Sequence, residues 1–126
     1  MNTSRRIVMW SVVVFLVAVG IGASVSYSRR PGQYDSFAQC LTEKGAVFYG
    51  AFWCPHCQNQ KAAFGKSARY LPYVECSTPD GRGQFALCTE RGIEGYPTWE
   101  FSDGSRESGE VTFARLAEKT GCPLPQ

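Results

Sequence analysis

The sequence carries no surplus of charge. Once Arg5 and Arg6 are set aside, 11 basic residues stand against 11 acidic ones, which gives no sign of a nucleic-acid footprint or an acidic partner surface. There is no internal repeat and no low-complexity tract, and 126 residues provide for one small domain. Histidine occurs once, as His56. Structural zinc usually calls for two close Cys or Cys/His pairs, whereas Cys76 and Cys88 are 12 positions apart and His56 lies inside the Cys54–Cys57 loop, so no metal is expected. Gln58 rather than His follows Cys57, which argues against a c-type haem attachment. No segment suggests a site for a flavin or quinone, so no cofactor is expected.

Charge is also missing from the 21 residues Ile7 to Tyr27, a length sufficient to cross a bilayer as one helix. A signal peptide is the competing reading, since Arg5 and Arg6 precede the run and Gly20, Gly22 and Ser24 are small. The run is longer than a usual signal core and no clean Ala-x-Ala site follows it, which favours an uncleaved anchor. Arg29 and Arg30 flank the far end and blur the positive-inside signal. The six cysteines orient the chain better, because such a density persists where disulfides are stable. The expected organisation is a tip and anchor over residues 1–27, a linker over 28–34, and a domain over 35–126 facing an oxidising compartment. The expected location is the cytoplasmic (inner) membrane, crossed once, with the domain on the periplasmic or extracellular side.

The most informative motif is Cys54-Pro55-His56-Cys57. Two thiols one helical turn apart can close and open a disulfide without moving the backbone. Tyr49 to Trp53 reads as the end of a buried strand, and Pro55 suits the first position of a helix, so Cys54 would be the helix N-cap. There the unpaired N–H groups and the positive end of the macrodipole favour thiolate, the attacking species in thiol–disulfide exchange. Cys57, a turn deeper, would resolve the mixed disulfide. His56, between the sulfurs, can donate to a Cys54 thiolate or place positive charge beside it, which favours the reduced pair and makes the disulfide a stronger oxidant.

The rest of the chain reads as alternating elements. Ser36 to Gln39 has the form of a capping box, with Phe37, Cys40 and Leu41 on one helical face and Gly45 as a stop. Strands are expected at Ala46 to Phe52 and Leu71 to Cys76, a helix from Cys54 to about Gly65, and a short helix from Gln84 to Arg91. Trp99 to Phe101 forms a strand, with Trp99 in the core, turned by Ser102 to Ser105 into a hairpin. Thr112 caps a last helix, with Val111 and Leu116 as a hydrophobic staple, and Gly121 and Pro123 end it. This order is an α/β layout with a central mixed sheet.

Strand, then Trp-Cys-x-x-Cys opening a helix, then a proline before a later strand resembles the thioredoxin fold. The stretches Tyr49 to Cys57, Tyr73 to Cys76 and Gly92 to Trp99 more closely resemble the thioredoxin-like domain attached to bacterial and plant homologues of vitamin K epoxide reductase. The resemblance implies a trimmed thioredoxin-like fold, without the extra leading strand. It implies a cis proline at Pro97 lying against the active-site pair, which would aim the Tyr96 backbone at an extended substrate peptide, with Trp53 on the rim. It also carries a second disulfide, Cys76–Cys88, read as structural because it closes a short loop in a domain with little core. Cys40 and Cys122 remain: Cys40 is either a buried free thiol or the partner of Cys122. Phe48 stands where thioredoxins place a buried acid. The Pro-His pair between the cysteines resembles the DsbA-type oxidases more than the Gly-Pro of thioredoxins.

The expected protein is a thiol–disulfide oxidoreductase that donates disulfides to exported thiol-containing proteins. Its expected oxidant is a separate membrane quinone reductase resembling vitamin K epoxide reductase. An extracytoplasmic reductase or isomerase is the same-fold alternative, and a binding module with a purely structural Cys54–Cys57 bond is the alternative of another class.

Overall fold

In the computed structural model residues 3–124 are described; residues 1–2 and 125–126, the outermost parts of the expected anchor and domain, lie outside the described residues. The chain divides into two units between Pro31 and Gly32, within the stretch read as a linker. The first unit is helix α1 (Thr3–Ser28), with a mean hydropathy of 2.4 over its most apolar window, long and apolar enough to cross a membrane.

The second unit contains α2 (Asp35–Glu43), β1 (Val47–Gly50), α3 (Pro55–Phe64), a 3-10 segment (Gly65–Tyr70), β2 (Tyr73–Glu75), α4 (Ala86–Glu90), β3 (Thr98–Glu100), β4 (Arg106–Ser108) and α5 (Phe113–Thr120). The strands form one mixed sheet in the order β2-β1-β3-β4. β1 pairs parallel with β2 and antiparallel with β3, and β3 pairs antiparallel with β4. Helices flank this sheet, giving a trimmed thioredoxin-like α/β fold.

Strand alternation divides the interior. Phe48 points to the larger core, where it stacks nearly parallel on Trp99 with centroids 4.8 Å apart, among Phe37, Leu41, Phe64 and Leu116. Such an aromatic pair adds about 0.5–1.5 kcal/mol to the burial of its two rings. Its neighbour Tyr49 points to the opposite face, into a small core of Cys76, Cys88 and Ile93. The short helix α4 and the loop before it thus pack on the sheet through this small core, with Val47, Val74 and Tyr96 at its edge.

The end of the chain folds as its local signals indicate. Thr112 Oγ1 accepts from the Arg115 N–H at 3.2 Å, Val111 and Leu116 are buried in the same core, and Gly121 adopts the left-handed conformation that closes α5. At α2 the expectation of a capping box from Ser36 is corrected. The helix begins two residues earlier, with Tyr34 at its N-cap, and Ser36 lies inside the first turn. Asp35 Oδ2 accepts from the Gly32 N–H at 2.9 Å, and Ser67 Oγ, from the 3-10 segment, accepts from the Tyr34 N–H at 2.9 Å. A distant hydroxyl has therefore replaced the local cap. β1 is also shorter than the apolar run, because Ala51 and Phe52 leave the strand for a turn in which the Cys54 N–H donates to the Ala51 carbonyl at 3.0 Å.

Four cysteines form two disulfides. Cys76–Cys88 closes a span of 12 residues, and Cys40–Cys122 closes a span of 82, joining α2 to the second residue after the end of α5. Constraining the longer loop removes more freedom from the unfolded chain: the chain-entropy relation gives about 4.5 kcal/mol for the long bridge and about 3 for the short one. Replacing Cys40 and Cys122 together by Ala is expected to destabilise the full chain, in detergent, more than replacing Cys76 and Cys88. Denaturant titration of the two double variants checks the ranking, and the reverse order would show that local packing around Cys76–Cys88 outweighs loop length.

Candidate active site

Cys54 and Cys57 are present as thiols, and both are buried, at 4 % and 1 % exposure. Cys54 is the N-cap of α3, in extended conformation, with Pro55 opening the helix. The Cys54 Sγ accepts from the Cys57 N–H at 3.4 Å, so one of the unpaired amide donors of the first turn is aimed at this sulfur. On its other side the Cys54 thiol donates to the Tyr96 carbonyl at 3.5 Å. The Tyr96–Pro97 peptide bond is cis, and Pro97 is fully buried. Residues 42 positions apart in sequence thus meet at one sulfur.

The two thiols occupy unlike environments. Burial pushes the Cys57 thiol from about 9.0 up to about 12; a hydrogen bond from the Ala51 backbone lowers it, Cys54 raises it and the charge of Lys61 lowers it. Cys57 lies against Gly50, whose missing side chain makes room: a Cβ there would sit 3.0 Å from Cys57 Sγ and 2.7 Å from the Tyr73 ring.

His56 lies at the rim, 68 % exposed, and its Nδ1 contacts Glu110 Oε1 at 2.7 Å. Asn59 donates to the same carboxylate oxygen at 3.2 Å. The His56 and Asn59 bonds hold the Glu110 carboxyl below its usual range, against a small opposing effect of burial. The imidazole therefore has a carboxylate partner that its position in the motif does not reveal. Trp53, about half exposed, packs edge-on against Tyr96 with centroids 6.0 Å apart.

The loop closed by Cys76–Cys88 braces this rim. Trp53 Nε1 donates to Ser77 Oγ at 2.8 Å, and Gln84 Nε2 donates both to the Tyr96 hydroxyl at 2.5 Å and to the Ile93 carbonyl at 2.9 Å. A Cβ on Gly81 would lie 3.5 Å from the Trp53 ring, so the loop tip stands beside the indole. On the other flank, buried Gln60 of α3 exchanges two hydrogen bonds with the Val111 backbone at 2.7 and 3.1 Å. Ser77, Gln84, Gln60 and Glu110 were not singled out from the sequence. Only Gln60 carries a signal there: it falls one turn after Cys57 on the face that a helix after a buried strand turns inward. Among the described residues no group of three or more His, Cys, Asp or Glu side chains is placed to hold a metal ion.

A thioredoxin-like domain with a dithiol at a helix start and a cis proline against it is the class of protein that this geometry defines. No family model matches the chain. Among curated proteins it is 48% identical over 96 residues to the thiol-disulfide oxidoreductase LTO1 of Arabidopsis thaliana, covering 72% of this chain and 25% of that protein. It is 28% identical over 106 residues to protein disulfide-isomerase erp38 of Neurospora crassa, covering 80% of this chain and 29% of the relative. Protein disulfide-isomerase of Aspergillus niger is 32% identical over 91 residues, covering 67% of this chain and 17% of that protein. The chain thus spans between a sixth and a third of the length of these relatives. They are thiol–disulfide oxidoreductases and isomerases, and the similarity supports a thioredoxin-like oxidoreductase domain.

The raised Cys57 thiol has a consequence for the reduced protein. An unfolded thiol ionises from about 9.0, whereas folded Cys57 keeps its proton to about 12, so the native state binds more protons across that window. Stability that is fully present below about 9 should decline as pH rises toward about 12. Thermal unfolding of the reduced full chain is expected to show a steeper fall above pH about 9 than the Cys57→Ala variant. Identical slopes would contradict the burial argument.

Proposed function

We propose that the protein is a membrane-anchored thiol–disulfide oxidoreductase that donates the Cys54–Cys57 disulfide to exported proteins. The observation that carries this reading is the buried Cys54 thiol at the α3 N-cap, between the Cys57 N–H and the Tyr96 carbonyl. A substrate thiolate attacks Cys54 Sγ, the bond to Cys57 breaks, and Cys57 leaves as thiolate. The mixed disulfide is resolved either by a second substrate thiolate, which attacks the substrate sulfur and releases Cys54, or by Cys57, which attacks Cys54 Sγ and returns the substrate thiol unoxidised. By the first route the substrate loses two electrons and the active-site pair gains them. Trp53 and the Tyr96 backbone receive the substrate as an extended segment, Pro97 holds that backbone in place, and His56 favours the reduced pair.

The two electrons pass on to a membrane quinone reductase resembling vitamin K epoxide reductase. Support comes from the resemblance of the active-site stretches and from α1, which would keep the domain near a partner in the same bilayer and raise its effective concentration. The membrane is the cytoplasmic one and the domain lies on its outer side, a reading supported by the two disulfides formed besides the active-site pair. An isomerase is the second reading, favoured by the names of two of the relatives.

Cys57→Ala is expected to accumulate mixed disulfides with exported proteins, and Cys54→Ala to trap almost none; equal trapping by both would overturn the assignment of attacking sulfur. In membranes without the quinone reductase, Cys54 and Cys57 should become reduced while Cys76–Cys88 stays oxidised. A pair held reduced in normal cells by an electron-importing protein would replace oxidase by reductase or isomerase. His56→Ser is expected to make the Cys54–Cys57 disulfide a weaker oxidant, read as a lower reduction potential against glutathione. An unchanged potential would remove His56 from the mechanism.

A further inference from the structure

Cys57 has to carry negative charge at two steps of every cycle of the proposed reaction. When a substrate thiolate bonds to Cys54 Sγ, the electron pair of the broken Cys54–Cys57 bond leaves on Cys57 Sγ. When the pair is reoxidised, the same sulfur attacks as an anion. Yet Cys57 is 1 % exposed, and water cannot solvate that charge. Phe48, stacked on Trp99, supplies no polar group to this side of the sheet.

A cluster of three residues lies behind Cys57. Lys61 is on α3 one turn after Cys57, so the two side chains share a helical face. Its Nζ rests over the Tyr73 ring, 3.2 Å from the centroid. That ring in turn lies against Cys57: the point where a Cβ on Gly50 would sit is 2.7 Å from Tyr73 Cε2, 3.0 Å from Cys57 Sγ and 3.4 Å from Tyr73 Oη. The Tyr73 hydroxyl donates to Glu75 Oε2 at 2.7 Å. The other Glu75 oxygen accepts from the Phe52 N–H at 3.2 Å and the Ser77 N–H at 2.9 Å. Glu75 is therefore held by three donors and fixes the ring, which offers its face to the ammonium.

We propose that Lys61, seated on the Tyr73 ring and held there by the Tyr73–Glu75 bond, is the cation that stabilises the Cys57 thiolate, and that it governs each step in which Cys57 leaves or attacks as an anion. Lys61 acts through the charge it places near the sulfur, as a positioning and electrostatic residue. Burial raises the Cys57 thiol while Lys61 lowers it, and burial lowers the Lys61 ammonium while Glu75 and Cys57 raise it, directions that agree with a coupled pair. The ionisable groups that act on Cys57 are Cys54 and Lys61, from the N-cap and body of α3, and Tyr73 from β2, while Glu75 acts on Lys61 and Tyr73.

This inference rests on the redox reading, but its test does not need turnover. In the full-length Cys54→Ala chain, with the other two disulfides intact, the rate at which Cys57 is alkylated is followed against pH below its midpoint. Each unit of upward shift lowers the thiolate fraction about tenfold, partly offset by the greater nucleophilicity of a more basic thiolate, so Lys61→Met should slow alkylation by about threefold or more. Lys61→Arg keeps the charge over the ring and should restore most of the rate. In the chain with both active-site cysteines, Lys61→Met should slow formation of the mixed disulfide on Cys54, because Cys57 is the leaving group, and should slow its reversal by Cys57 attack. Equal rates in Lys61→Met and the parent would overturn the proposal, and so would an Arg variant as slow as the Met variant, because charge would then not be the cause. A failure of Cys57→Ala to trap substrates would instead count against the redox reading and leave the Cys57 titration interpretable.

Discussion

β1 is hydrogen-bonded along both edges, and its register places the whole site. Its parallel partner puts Glu75 opposite Gly50, so a carboxylate arrives beside the turn that leads to Cys54. Its antiparallel partner puts Thr98 opposite Tyr49, so the cis Tyr96–Pro97 bond immediately before β3 arrives at the same end of the strand. The helix that starts at Pro55 then needs only a four-residue turn from Gly50 to bring Cys54 between these two neighbours. A slip of one residue in either pairing would carry every one of these side chains to the other face.

The inequality of the two sulfurs follows from that placement. Cys54 stops at the helix N-cap, where it meets a backbone donor and a backbone acceptor. Cys57 is carried one turn inward, against Gly50 and the Tyr73 ring. A thiol pair of this form has one member that meets substrate and one whose charge must be accommodated by the interior. Gly50 is required by the second, since any Cβ would press on both the sulfur and the ring.

The disulfides serve the same end at different ranges. Cys40–Cys122 joins α2 to the chain just beyond α5, both helices contributing buried side chains to the larger core. Cys76–Cys88 anchors a loop with almost no core of its own, and that loop supplies Ser77 to Trp53 and Gln84 to Tyr96. A bridge read as purely structural thereby sets the rim of the active site.

Much of this was legible in the chain because its signals are local. The strand-turn-helix at Cys54, the cap at Thr112, the stop at Gly121 and the apolar run that forms β1 each depend on a few neighbouring residues. The element order and the mixed sheet follow from them. Where a local rule met a distant competitor it failed, as at α2, where Ser67 took over from Ser36. The partners of the site side chains required the fold itself. Glu110 on His56, Ser77 on Trp53, and Tyr73 with Glu75 behind Cys57 are separated from their partners by between 16 and 54 positions of chain or by a strand boundary, and nothing in their spacing marks them. For the same reason the sequence alone does not pair Cys40 with Cys122. Sequence determined which elements form and which pair of thiols could react, because secondary structure and helix capping are short-range. Tertiary structure alone decided which charges and hydrogen bonds surround those thiols, because strand register and packing bring them together from across the chain.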